Sequence, residues 1–347
     1  MKKIRGLLFL TAVLMFFSCA GPGIKKQRNA EIINKDEPCS ITIGGDIMLG
    51  RRMDPFMDEK GAGYTFEKIR SILANSKINF ANLETPVMRN MEKENYKKVS
   101  DKQIHFLARE ETGGVLAEAG INIVSLANNH ALDYGEKGLY STIKILDENN
   151  INYQGVWKGD QTLPNEPYIA EIDNTKAAFF SYSKVSHESF AASMDRYGTI
   201  PAILKVIRKD IADTRDYADI IIIYLHWGEE YRPVTEKQRV FAARIIDAGA
   251  DMVVGSHTHI FQDIEKYKGK YIFYGLGNYI FDQTAKETKR AGILKISLKD
   301  GRIERAGIVP IISNEEFVPH PVTDIYGVME FIKDIKLHNT GISEVLW

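Results

Sequence analysis

The sequence predicts an α/β body made as one domain, a sheet-on-sheet sandwich with helices on its outside. Three observations predict it. From residue 41 onwards, strand-length apolar runs alternate with amphipathic segments of helical spacing. Two of those runs, residues 121–127 and 220–225, lack period-2 alternation and so suit strands buried on both faces. Later, residues 168–182 and 271–311 read as strands lying next to one another, with the polar Lys299-Asp300-Gly301 suited to a hairpin turn.

The chain starts with Lys2, Lys3 and Arg5, followed by an uncharged apolar run over residues 6–17. That is the basic and apolar order of a secretory signal, too short to span a bilayer comfortably. The run stops at Ser18-Cys19-Ala20-Gly21, which resembles a bacterial lipoprotein cleavage site. The resemblance implies that Cys19 is diacylated and becomes the mature N-terminus, so that the protein is exported and lipid-anchored in the cell envelope. The other reading is a plain signal peptide cleaved nearby. Residues 1–18 are therefore assigned to the signal and 19–38 to a flexible tether, polar and carrying Pro22 and Gly23. The body covers 39–315, and 316–347 is expected to be a helical extension without chemistry.

Within the body, residues 41–43, 78–81, 121–127, 220–225 and 251–254 are strand candidates. Phe66, Ile69 and Leu73 sit at helical spacing, as do Leu139, Ile143 and Leu146, and residues 238–248 form a further helix ended by Gly249. At 347 residues, 44% hydrophobic and 26% charged, the chain has enough sequence for a large core. Its net charge of −1 gives no pull towards nucleic acid. The only cysteine besides Cys19 is Cys39, so no disulfide framework is available if Cys19 is acylated, and Cys39 reads as a small apolar side chain near the first strand.

The chemistry collects where strands give way to loops, and in open α/β sheets those carboxyl ends are where sites assemble. Asp46 follows residues 41–43 and Gly44-Gly45, whose glycines are expected to let the backbone turn sharply towards an ion; the plainer reading of Asp46 is a turn residue. Glu84 follows residues 80–83 and is either a carboxylate able to bridge two cations or a solvated acid before Pro86. Asn128-Asn129-His130 ends a very apolar run, and its amides are satisfied either by loop hydrogen bonds or, for Asn129, by a metal. His130 is then a candidate proton donor, with Asp133 placed to orient its ring. His226 ends residues 220–225, as a structural histidine or a ligand. His257 and His259 are spaced by two, which on an extended segment points both imidazoles to one face. Neutral imidazoles suit Zn, Mn, Fe and similar ions. Arg51 and Arg52 would attract a phosphate or carboxylate substrate, or are solvated loop charges. Residues 229–232 are candidates for the mouth, and Asn278 has no assigned role.

These motifs resemble the CapA family of bacterial capsule and poly-γ-glutamate biosynthesis proteins. The match runs through Gly45-Asp46-Ile47-Met48-Leu49-Gly50-Arg51, Asn82-Leu83-Glu84, Asn128-Asn129-His130-Ala131-Leu132-Asp133, His226-Trp227-Gly228-Glu229-Glu230-Tyr231, Gly255-Ser256-His257-Thr258-His259 and Gly275-Leu276-Gly277-Asn278. That family is similar in turn to calcineurin-like metallophosphatases, which implies a four-layered αββα sandwich and two divalent metal ions. On this resemblance Asp46 and His259 would hold one metal, Asn129, His226 and His257 the other, and Glu84 would bridge them. His130 would be the acid near the leaving group. One position departs from the pattern, Met48 standing where metallophosphatases usually carry a histidine. The implied function is a metal-dependent hydrolase acting on a phosphoester or amide bond of an anionic surface polymer such as poly-γ-glutamate, in company with a membrane polymer synthase complex. The alternative is a non-catalytic factor that holds the polymer for that synthase. A nucleotide phosphodiesterase would use the same site on a cytosolic kind of substrate, which fits an exported protein less well.

Overall fold

The computed structural model describes residues 34–89, 104–158, 165–185, 190–193 and 195–347. The signal segment, Cys19 and most of the tether lie outside the described residues.

Two sheets stack face to face. The first has eight strands. At its centre Cys39–Ile47 pairs in parallel with Ser76–Leu83, which pairs in parallel with Ile123–Ser125, followed by Asn152–Gln154. On the other side Cys39–Ile47 meets Arg290–Lys299, Arg302–Ser313 and Pro319–Pro321 in antiparallel succession. Asn278–Ile280 lies in parallel beside the end of Cys39–Ile47. The second sheet has seven strands. Its parallel centre is Thr175–Ser183, Ile220–His226, Met252–Ser256 and Lys270–Phe273. Tyr168–Ile172 and Ile264–Tyr267 flank it in antiparallel pairing, and Leu337–His338 finishes one edge.

The apolar runs without alternation are explained by layers on both sides of each sheet. Ile220, Ile222 and Tyr224 point into the core between the sheets, where they join Ile41, Ile43, Phe80 and Ile123. Ile221, Ile223 and Leu225 point the other way, into a core roofed by the helices Leu204–Thr214 and Glu236–Asp247. The outer face of the first sheet packs Ile47, Ala81 and Val124 against side chains of Asp54–Lys60, Arg70–Ala74, Glu111–Glu118 and Gly135–Glu148. The order of layers is αββα, as the resemblance implies. The helix Glu236–Asp247 starts at a capping box in which Thr235 and Gln238 exchange hydrogen bonds. The expected hairpin forms with Lys299 paired to Arg302, and the two turn residues Asp300 and Gly301 have φ of 49° and 71°.

Three local expectations are corrected. Phe66, Ile69 and Leu73 do not share one helix. Ala62–Phe66 is a 3₁₀ turn and Arg70–Ala74 a short α-helix, joined by repeated i→i+3 bonds such as Ile69 N to Phe66 O and Ile72 N to Ile69 O. With three residues per turn, Phe66, Ile69 and Ile72 line up on one side and all reach the core. The end of the chain carries two helices, Ile325–Ile332 and Ile342–Val345, but also two strands that finish edges of both sheets. Those edges otherwise present unpaired backbone groups.

The third correction concerns Gly44-Gly45, which makes no turn. Both lie inside Cys39–Ile47, and neither has positive φ. A Cβ at Gly45 would fall on the Gly277 carbonyl oxygen, and one at Gly255 on the Tyr274 carbonyl. These glycines admit a segment that crosses from the second sheet to the first, donating from Leu276 N to Gly255 O (3.0 Å) and accepting at Gly277 O from Asp46 N (3.1 Å). Gly45→Ala is therefore expected to cost at least about 2 kcal/mol in denaturant unfolding. Gly63→Ala, where the nearest atom to the new Cβ is the end of the Arg70 side chain at 3.8 Å, should stay within about 0.5 kcal/mol. Equal effects would contradict the close approach.

Candidate metal centre

The parallel centres of both sheets end at one rim. Asp46 lies at the end of Cys39–Ile47, Glu84 just after Leu83, Asn128 to His130 after Ile123–Ser125, His226 at the end of its strand, and His257 and His259 after Met252–Ser256. Asp46 joins the two sheets there. Its Oδ1 accepts from Asn82 Nδ2 at 2.7 Å, within the first sheet, and its Oδ2 from the His257 backbone N–H at 3.0 Å, in the second. Asp46 and Glu84 are both fully buried, which removes the turn reading of the one and the solvated reading of the other.

Two groups of donor atoms form around them. Asp46, Glu84 and His259 each offer a ligand atom within 4.8 Å of the others, and so do Glu84, His226 and His257. Glu84 belongs to both. His226 Nε2 stands 2.7 Å from Asn129 Oδ1, 3.2 Å from His257 Nδ1 and 3.5 Å from Glu84 Oε1. His259 Nδ1 is 3.8 Å from Asp46 Oδ2 and 2.9 Å from Asn278 Oδ1. Carboxylate oxygen, amide oxygen and imidazole nitrogen facing one another across a few ångströms is a donor set that divalent Mn, Fe or Zn satisfies. The residues present fit such an ion.

The electrostatics agree with the geometry. Burial, reinforced by the Glu84 charge, pushes the Asp46 carboxyl up to about 7, against the opposing pull of His226, Asn82 and the His257 N–H. Burial also drives His259 down to about 3, so its imidazole is neutral across the physiological range. Two carboxylates buried side by side are costly unless positive charge accompanies them.

Beside this cage, His130 Nδ1 lies 2.6 Å from Asp133 Oδ2, which also accepts from the Phe106 N–H at 2.7 Å. The ring stacks on Phe106 at 3.8 Å, and its Nε2 points towards Glu84 Oε1 at 4.0 Å. Asn128 and Asn129 both reach protein partners across the rim. Asn128 Nδ2 donates to Asn82 Oδ1 and Leu83 O, and Asn129 faces His226. Arg51 sits at the mouth, its Nε 3.2 Å from Asp282 Oδ2 and its guanidinium over the Phe106 ring at 5.1 Å. Met48 is buried in a small apolar cluster with Phe106 and Phe281. Glu229, Glu230 and Arg232 are exposed, whereas the Tyr231 ring leans over His259 at 5.8 Å. Cys39 is buried at the start of its strand, and burial raises its thiol pKa.

His257 and His259 converge by a route that spacing alone does not predict. They follow the strand rather than lie on it, and have φ of 92° and 58°. Left-handed conformations in two non-glycine residues are strained by about 1–3 kcal/mol each, and such strain gathers at functional sites. Three supporting residues went unassigned from sequence: Asn82, Asn278, and Ser256, whose Oγ is 2.9 Å from His226 Nδ1. Asn82 and Ser256 adjoin assigned motif residues, and that adjacency was the available signal.

A family model described as bacterial capsule synthesis protein PGA_cap matches residues 40–283. The chain is 34% identical over 294 residues to the capsule biosynthesis protein CapA of Bacillus anthracis, covering 83% of this chain and 71% of that protein. It is 32% identical over 312 residues to the PGA biosynthesis protein CapA of Bacillus subtilis (strain 168), covering 89% and 80%. Among solved structures, the NAD nucleotidase of Haemophilus influenzae aligns with a TM-score of 0.50 and 12% identity. That alignment covers 88% of this chain but 58% of the nucleotidase, and it shows a shared fold alone.

A pH dependence follows from Asp46. Its folded pKa of about 7 lies above the ordinary carboxyl value, so in the metal-free fold it binds a proton that a cation must displace below pH 7. His259, already neutral down to about 3, adds no such penalty. The rise in Tm produced by Mn²⁺ over a chelator control should therefore grow from pH 5.5 to pH 8. The same rise at both ends would remove Asp46 from the cage.

Proposed function

The chain belongs to the bacterial capsule synthesis family, and from that premise we propose that it is a divalent-metal-dependent hydrolase of the cell envelope. Its substrate is an anionic surface polymer such as poly-γ-glutamate, or a precursor of it, cleaved at a phosphoester or amide bond. The observation that carries this reading is the pair of buried donor groups sharing Glu84.

In this proposal Asp46, Glu84 and His259 would hold one ion, and Asn129, His226 and His257, with Glu84 shared, would hold the other. Bound there, divalent cations would supply Lewis-acid charge to the scissile group and lower the pKa of water. The chain's own groups do the rest. His130 Nε2 holds a proton for the leaving group while Asp133 keeps the ring aligned through Nδ1. Arg51, steadied by Asp282 and Phe106, receives a carboxylate or phosphate of the substrate at the mouth. Phe106, Phe281 and Met48 form an apolar wall beside the donors, which lowers the local dielectric and strengthens each charge interaction.

The Met48 cluster also favours a second reading, a non-catalytic factor that holds the polymer beside a membrane synthase, because a thioether packed with two phenyl rings adds no hard donor near Asp46. Metal content separates the two. About two equivalents of transition metal in the purified protein support the hydrolase, and none supports the holding role.

Anchoring through Cys19 belongs to the same proposal, supported by Lys2, Lys3, Arg5, the apolar residues 6–17 and the Ser18-Cys19 junction. Radiolabelled fatty acid should enter the wild-type chain in a bacterial host and not the Cys19→Ala form. Equal labelling, or none in either, refutes the anchor. For the chemistry, polymer-degrading activity should vanish with a chelator and return with Mn²⁺, and His257→Ala should lower kcat/KM by about a hundredfold or more. Asp133→Asn should lower kcat while leaving metal content unchanged, and activity indifferent to both substitutions would sink the proposed centre.

A further inference from the structure

Asn278 carries one hydrogen bond that its neighbours make unambiguous. The side-chain amide is buried and touches Thr288 O at 3.0 Å, Gln283 Oε1 at 3.0 Å and His259 Nδ1 at 2.9 Å. A backbone carbonyl only accepts, so the group facing Thr288 O is the NH₂, and both of its protons are used by Thr288 and Gln283. The remaining atom, Oδ1, is an acceptor without a proton. It faces an imidazole nitrogen, so that nitrogen must be the donor. From this we infer that Asn278 is a positioning residue that holds the His259 proton on Nδ1 and so presents the bare Nε2 lone pair as the ligand atom.

The support extends outwards from there. Gln283 accepts from Asn278 and donates through Nε2 to the Tyr231 hydroxyl at 3.0 Å, and the Tyr231 ring lies over His259. A line of hydrogen bonds thus runs from a half-exposed tyrosine at the mouth to a buried imidazole. The backbone contributes as well. Asn278 pairs with Asp46 across the junction of Cys39–Ile47 and Asn278–Ile280, so the residue that sets the His259 tautomer and the carboxylate beside His259 are held in one register. His259 has left-handed φ, and φ by itself gives the ring no preferred orientation. The amide supplies that preference.

The purpose of this tautomer rests on the metal reading above, but the proton position can be measured without metal. In chelator-treated full-length protein with ¹⁵N-labelled histidine, long-range imidazole NMR correlations should show His259 protonated at Nδ1, assigned by loss of the signal in His259→Gln. Asn278→Leu should move the proton towards Nε2 and weaken Mn²⁺ or Zn²⁺ binding by about 10–100-fold. Gln283→Leu, which leaves the Thr288 carbonyl to orient the amide, should keep the Nδ1 proton. A wild-type His259 protonated at Nε2 overturns the inference without recourse to any variant. So does an Asn278→Leu protein that only melts earlier, with its proton and its affinity unchanged, because that is the result a purely structural residue gives. A wild-type protein with the Nδ1 proton that binds neither ion upholds the inference and defeats the metal reading instead.

Discussion

The Asp46 carboxylate is the point on which the two halves of the molecule meet. It lies fully buried at the end of the central strand of one sheet and accepts a backbone hydrogen bond from His257 of the other. Its second oxygen is taken by Asn82. A carboxylate in that position cannot exchange its partners for water, so any relative slip of the sheets at this rim leaves a buried charge unsatisfied. Tyr224 adds a second strut by donating across the interface to Gly44 O at 3.2 Å. The sandwich is held in register at the end where the donor groups sit.

The same arrangement is expensive. Glu84 is buried beside Asp46, and burial, reinforced by their mutual repulsion, raises the Asp46 pKa. His257 and His259 hold strained backbone conformations. Local cost of this kind persists only where the surrounding fold over-determines it. Here the surroundings are three large apolar clusters, one between the sheets and one beneath each helical layer, together with the segment that crosses at Gly45 and Gly255. A capsule-family chain that spends stability in this way at one rim is using the fold to hold donors that would otherwise move apart.

Much of this was legible in the residue order. Fully apolar runs such as residues 220–225 announce strands covered on both faces, because only a layer on each side removes that much surface from water. Polar residues directly after such runs, Asn128 and His130 above all, mark the rim, because their burial needs partners. Other features were illegible because they depend on contacts remote in sequence. Gly44 and Gly45 suggested a turn, yet the cause of the glycine at 45 is a carbonyl at residue 277. The spacing of His257 and His259 suggested an extended segment, whereas two left-handed residues bring the rings together.

By itself the sequence determined the layered α/β class, the strands whose ends carry ligand-type side chains, and the residue types available as donors. These follow from local periodicity and from the cost of burying polar groups, both of which are properties of short stretches. Tertiary structure alone decided that Asp46 binds a backbone N–H from the opposite sheet, that Met48 packs with Phe106 and Phe281, and that Asn278 faces His259. Distances between atoms on separate elements depend on how two sheets stack and where a loop crosses between them, and local periodicity does not contain that information.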